Sequence, residues 1–187
     1  MKSLKITAFT ALIAISALFT SCSKDDEVAV TTNSSATLDA GKAGIIFNTN
    51  SNFVTNTAFN VRNTQSTNAS SFINGASRSI VLTAIELSTG TAVRAASISI
   101  TLPATANSSL GNLVADLSVR GTATIIASVS LISNSGTTTG TTYDSESGTL
   151  TITKLTATEI EGTFNGTVTS GATAYVISNG SFAGKFN

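Results

Sequence analysis

From Gly121 to Ser133 the sequence alternates with a period of two: Ala123, Ile125, Ala127, Val129 and Leu131 fall on one side, and Thr122, Thr124, Ile126, Ser128, Ser130 and Ile132 on the other. A strand sends successive side chains to opposite faces, whereas a helix would scatter both sets around its axis. The segment is therefore predicted to be a strand, the longest of the chain, with its almost wholly apolar side against a core. Shorter runs of the same kind, rich in Thr, Ser, Val, Ile and Ala and separated by turn residues, continue from Leu38 onward. No helix-rich segment competes with them.

In chain order, Gly44 to Asn48 carries Ile45, Ile46 and Phe47, and Thr57 to Asn63 sets Phe59 and Val61 on one face. Thr64 to Asn74 is polar and reads as a long loop that Phe72 and Ile73 pin to the core. Ser79 to Leu87 alternates Ile80, Leu82 and Ala84 against Val81, Thr83 and Ile85, so both faces read as partly covered. After the turn Ser88-Thr89-Gly90, Ala96, Ile98, Ile100 and Leu102 share a face. This pair forms a predicted hairpin that Pro103, which has no backbone donor, closes at a strand end.

Between Ala104 and Val119, Leu110, Leu113, Val114 and Leu117 have helical spacing, which Gly111 weakens, so a short helix or a turn precedes the long strand. Thr141 to Tyr143 reads as the start of another strand. A meander then follows through Gly148 to Lys154, Glu159 to Val168, Thr173 to Ile177 and Ser181 to Phe186. Gly162 and Gly166 lie on the side of Ile160, Phe164 and Val168, where they would let a ring or another strand approach closely. Asn179-Gly180 marks a tight hairpin or a bulge. Eight to ten strands at this spacing predict an all-β domain over 38–187, a single antiparallel β-sandwich or a calycin-like barrel.

The chain before this domain is of a different kind. Lys2 and Lys5 precede an apolar stretch from Ile6 to Phe19, and Thr20 and Ser21 lead to Cys22, the single cysteine. This is the layout of a secretory signal peptide, too short to span a bilayer as a helix. Residues 1–21 are thus predicted to be removed by cleavage between Ser21 and Cys22, and Cys22 to accept a lipid. Two readings stay open beside this one: a stray cysteine in an ordinary cleavable signal, and a partner for an intermolecular disulfide. Residues 22–37 read as a polar tether that opens with Ser23, Lys24, Asp25, Asp26 and Glu27.

The leader, Cys22 and this acidic run resemble the signal and tether of bacterial lipoproteins, in particular those of the Bacteroidota. The resemblance implies acyl chains on Cys22, an outer-membrane location, and a role for Ser23 to Glu27 as a surface-export signal. Acyl chains contribute about 0.8 kcal/mol per buried methylene, and two or more make attachment stable. The blocks Gly148 to Lys154, Glu161 to Gly166 and Ile177 to Phe182 are similar to the C-terminal meander of lipoproteins from the same group, which implies location and fold and no activity.

Removing residues 1–21 from the 187 leaves 166, enough for one core. Lys2 and Lys5 go with the leader, so eight basic residues face ten acidic ones, a net charge of −2. No basic field exists to attract nucleic acid. With no histidine and one cysteine, the usual zinc sites and the histidine-dependent nucleophile systems lack their residues. No cofactor is expected, and the chain is not read as an enzyme.

Three patterns remain. Glu159 and Glu161 share a strand face, with Asp144 and Glu146 near them in sequence. Paired carboxylates can hydrolyse glycosides or hold calcium, but solvated charges that blunt a sheet edge are the plainer reading. Thr122 and Thr124, and Thr149, Thr151 and Thr153, set hydroxyls on strand faces, as sugar- or ice-binding arrays do. Threonine also simply suits a wet strand face. Phe53, Phe59, Phe72, Phe164, Phe182 and Phe186 read as core, or as the lining of a pocket if the sheet closes around one, while Tyr143 and Tyr175 are thin support for a sugar platform. The expectation is a lipid-anchored outer-membrane or cell-surface protein acting as a binding or structural component. Its partners would be the membrane and a protein, glycan or small apolar ligand. The alternative is a periplasm-facing carrier of a small apolar ligand in a calycin-like barrel.

Overall fold

The computed structural model describes residues 38, 43–54, 56–62, 67–87, 92–107, 111–118, 123–135 and 140–186. They form ten strands: β1 (Gly44–Phe53), β2 (Asn56–Val61), β3 (Thr67–Asn74), β4 (Ser77–Leu87), β5 (Ala92–Pro103), β6 (Leu113–Asp116), β7 (Ile126–Ser135), β8 (Thr141–Leu155), β9 (Glu159–Ser170) and β10 (Thr173–Lys185). Among the described residues there is no helix. All pairing is antiparallel, in the order β2-β1-β10-β9-β8-β7-β5-β4-β3, with β6 joined to β8 beside this path.

A sheet with one apolar face and no helix to cover it must bury that face on itself. This one does so by curling into a half-barrel. β10 then meets β3, and β1 and β2 meet β4, across the interior. The approach is close: a Cβ built on Gly184 of β10 would lie 2.6 Å from the Ala69 Cβ of β3 and 3.0 Å from Leu82 Cδ2 of β4.

Register carries the inward residues into line. Ile80, Leu82 and Ala84 stand opposite Ile100, Ile98 and Ala96, which stand opposite Ala127, Val129 and Leu131. These join Ile45, Phe47, Phe59, Leu150, Ile152, Ile160, Phe164 and Phe182 in one core. Of the two glycines expected to allow close approach, Gly166 faces the backbone of Ser147 and Gly148 on β8, and Gly162 admits a ring from β10; Gly180 on β10 does the same in return. Phe182 pairs with Gly162, and Gly180 pairs with Phe164. Each ring occupies the space that a side chain on the opposed glycine would fill.

Several expectations are corrected. Thr67–Asn74 is a strand, paired residue for residue with β4. It buries Thr67 and Ala69 and leaves Phe72 and Ile73 in solvent rather than pinned to the core. Ladder hydrogen bonds to β4 make it a strand despite its polar composition. On β4, Ile80, Leu82 and Ala84 form the core face, and the other face is partly covered as expected at Val81 and Thr83, which are half-buried, but not at Ile85, which is exposed. The segment with helical spacing contains β6, where Leu113 to Asp116 pair with Ile152 to Thr149.

The longest strand is β8, of 15 residues, while Ala123 to Ile125 bend ahead of β7. β8 unites two expected strands because it absorbs Glu146 and Thr153 as extra residues opposite β9, which bends the strand without ending it. β10 likewise runs through Asn179-Gly180. Ser178 and Asn179 together oppose Asn165, with Asn179 in the left-handed region at φ 53°, so the pair is a bulge and not a hairpin.

Candidate functional site

Cys22, Ser21 and the run Ser23, Lys24, Asp25, Asp26 and Glu27 lie outside the described residues, as do Leu110, Val119 and Thr122. Within the half-barrel, the groups capable of chemistry gather at its two ends. One end holds the β1–β2 and β9–β10 turns. The other holds the start of β1, the β3–β4 and β8–β9 turns and the end of β10.

At the first end the β4–β5 pair carries a charge into the interior. Arg94 and Glu86 stand directly opposite in register, on the parity of Ala84 and Ala96, so both point inward. Arg94 is 2% exposed. Its Nη2 donates to Glu86 Oε2, and its Nη1 donates to the carbonyls of Phe53 at 3.3 Å and Asn56 at 3.2 Å. The guanidinium carbon lies 5.7 Å from the centroid of the Phe59 ring. A buried cation is tolerable when its donors are engaged in this way. Here they clamp the β1–β2 turn, where Val54 has φ 66°, onto the opposite wall.

Three rings complete this end. Phe53, Tyr143 and Tyr175 meet edge to face, with centroids 6.0 Å apart for Phe53–Tyr143, 5.4 Å for Phe53–Tyr175 and 5.0 Å for Tyr143–Tyr175. Burial, and then Tyr143 beside it, push the Tyr175 hydroxyl above its ordinary pKa. The two tyrosines therefore face each other and Phe53, and do not lie flat as a platform for a sugar.

At the second end Arg78 also points inward. It donates from Nε to Ser71 Oγ at 2.7 Å and from Nη2 to the Thr156 carbonyl at 2.9 Å. Its guanidinium carbon sits 5.0 Å from the centroid of the Phe186 ring. Phe186, expected in the core, is half-buried against this cation. The sequence reading missed Arg78, Glu86 and Arg94, although their parity along β4 and β5 matches that of Ile80 and Ile98.

The four carboxylates do not meet at one site. Glu159 and Glu161 both reach Lys154, at 2.8 and 3.3 Å, and their hydrogen bonds, Glu159's first, hold its ammonium above the ordinary lysine pKa. Asp144 accepts from Ser130 Oγ at 2.6 Å on the outer wall, and Glu146 is exposed in its bulge. Among the described residues, no group of three His, Cys, Asp or Glu could hold a metal.

The threonines lie on the outer face. Thr149 and Thr153 are exposed and Thr151 is half-buried opposite Thr163, while Thr124 is exposed ahead of β7. A polar row that the sequence reading did not assemble crosses five strands: the hydroxyl residues Thr83, Ser97, Ser130 and Thr169, with the carboxylate of Asp144 between the last two, are neighbours by register. Thr83 and Ser97 are 3.4 Å apart at their oxygens. The interior rings pack on one another, Phe47 stacking on Phe59 at 4.8 Å and meeting Phe164 edge-on at 5.9 Å.

Comparison with protein-family profiles, with curated proteins and with solved structures finds no match to this chain.

Proposed function

We propose that this protein is lipid-anchored through Cys22 at the bacterial outer membrane, facing outward, where its β-domain acts as a binding or structural surface component. The observation that carries this reading is the position of the single cysteine. It ends a short apolar leader, follows two small residues, and opens the acidic run Ser23 to Glu27. Tethered display is the mechanism: acyl chains hold the membrane, the residues after Cys22 provide reach, and the half-barrel meets a partner. The outer wall suits a display role, because the hydroxyls of Thr83, Ser97, Ser130 and Thr169, with the Asp144 carboxylate among them, can hydrogen-bond to protein or glycan.

Ring-on-ring packing of Phe47, Phe59 and Phe164 favours this reading over a carrier, since those faces are already covered. No catalytic role is assigned. Whole cells treated with protease, followed by fractionation, test the proposal: membrane-associated protein that is digested from outside is the expected result. Protein in the soluble periplasmic fraction, protected in intact cells, would overturn it.

A further inference from the structure

We infer that the tip of the β3–β4 hairpin is a second membrane contact, in which Phe72 and Ile73 insert into the lipid surface to which Cys22 is anchored. This rests on the lipid-anchor reading above. Phe72 is 57% exposed and Ile73 64%, the largest exposures of large apolar side chains among the described residues. They are adjacent in an extended strand and therefore point to opposite faces of the hairpin. Phe72 lies on the outer face of β3, the last strand of the sheet order, and Ile73 lies on its inner face beside the turn, opposite Arg78. A folded partner docks on one face of a hairpin. Apolar side chains on both faces suit a surrounding medium, and the acyl region of a bilayer is one.

The surroundings agree with this. Asn74 to Ser77, which close the hairpin, are exposed and carry no charge, so no ionised group must be desolvated ahead of the pair. The nearest cation, Arg78, is turned inward to Ser71 and Thr156. The adjoining Ala104 amide donates to the Ala76 carbonyl at 2.8 Å, bringing another uncharged segment to the same tip.

Position supplies the occupant. β1 begins at this end, with Gly44 paired to Ala183, and the chain arriving there comes from Cys22, 22 residues upstream. The described chain thus enters β1 at the end of the sheet that carries the apolar tip. An acyl anchor keeps the domain close to the surface, so a weak additional insertion acts at high effective concentration.

The chain has no tryptophan, so Phe72→Trp gives a sole reporter and Val176→Trp, an exposed site toward the other end of β10, a control. Each protein, as processed by the cell and extracted in detergent, is placed in vesicles of phosphatidylcholine brominated in its acyl chains, and flotation and emission are measured. The expected result is flotation of both, with emission from the Phe72→Trp protein quenched about twofold or more beyond that from the Val176→Trp control. Flotation with equal quenching overturns the tip insertion alone and assigns the apolar pair to a protein partner. Failure to float overturns the anchor reading and the tip insertion with it.

Discussion

The ring of Phe182 lies over Gly162, its cross-strand partner, with Cε1 2.7 Å from where a Cβ on that glycine would be. Phe182 is fully buried, and Phe164 stands beside it with centroids 6.3 Å apart, so close-packed neighbours oppose a shift of the ring. Gly162→Ala is expected to overpack this site and to destabilise the fold by about 1–3 kcal/mol. A lowered midpoint in urea with an unchanged slope would show it; an unaltered midpoint would mean that the ring has room to move.

Arg94 holds the β1–β2 turn through backbone carbonyls, so its loss should be felt well beyond Glu86. Arg94→Met keeps much of the side-chain volume but leaves Glu86 and the carbonyls of Phe53 and Asn56 without their donors. Breaking such a pair costs about 3 kcal/mol, at the low end of the buried range because Glu86 is partly exposed. Arg94→Lys should recover little, since one ammonium cannot match the spread of a planar guanidinium. Thermal melting of the two variants checks this, and full rescue by lysine would contradict the clamp.

Alkali should weaken the fold through Tyr175. Its hydroxyl titrates above the ordinary tyrosine value in the folded chain, so the fold binds that proton more tightly than the unfolded chain does. The resulting stability is fully present below the unfolded value of about 10 and is lost as the pH rises through the folded one. Lys154, also raised, acts in the same direction. Tyr175→Phe should therefore flatten, without abolishing, the fall in stability above pH 10. Phenolate absorbance is an easy readout, because the chain has two tyrosines and no tryptophan.

The parts of the fold legible in the sequence are those where one face is apolar and the other is not. Ile80, Leu82 and Ala84, the run from Ala96 to Leu102, and Ala127, Val129 and Leu131 declare their inward side by period alone. β3 does not, because its two large apolar residues are adjacent rather than alternate, and its strand character comes from pairing with β4. β8 reads as two strands because Ser145-Glu146-Ser147-Gly148 has the composition of a turn, yet one extra residue is absorbed as a bulge. Arg94 and Glu86 were hidden for another reason. A charged residue is ordinarily read as a solvent marker, and only the parity of β4 and β5 reveals that both point inward. The polar row from Thr83 to Thr169 needs the pairing of β4, β5, β7, β8 and β9, which no local pattern contains.

The central claim is the lipid on Cys22, and intact mass of the protein extracted from membranes tests it most directly, with Cys22→Ala beside it. The account predicts a wild-type chain that begins at Cys22 and carries the added mass of its acyl groups, and a variant that lacks this mass and is lost from the membrane. A wild-type chain with an unmodified cysteine, recovered in the soluble fraction, would contradict it.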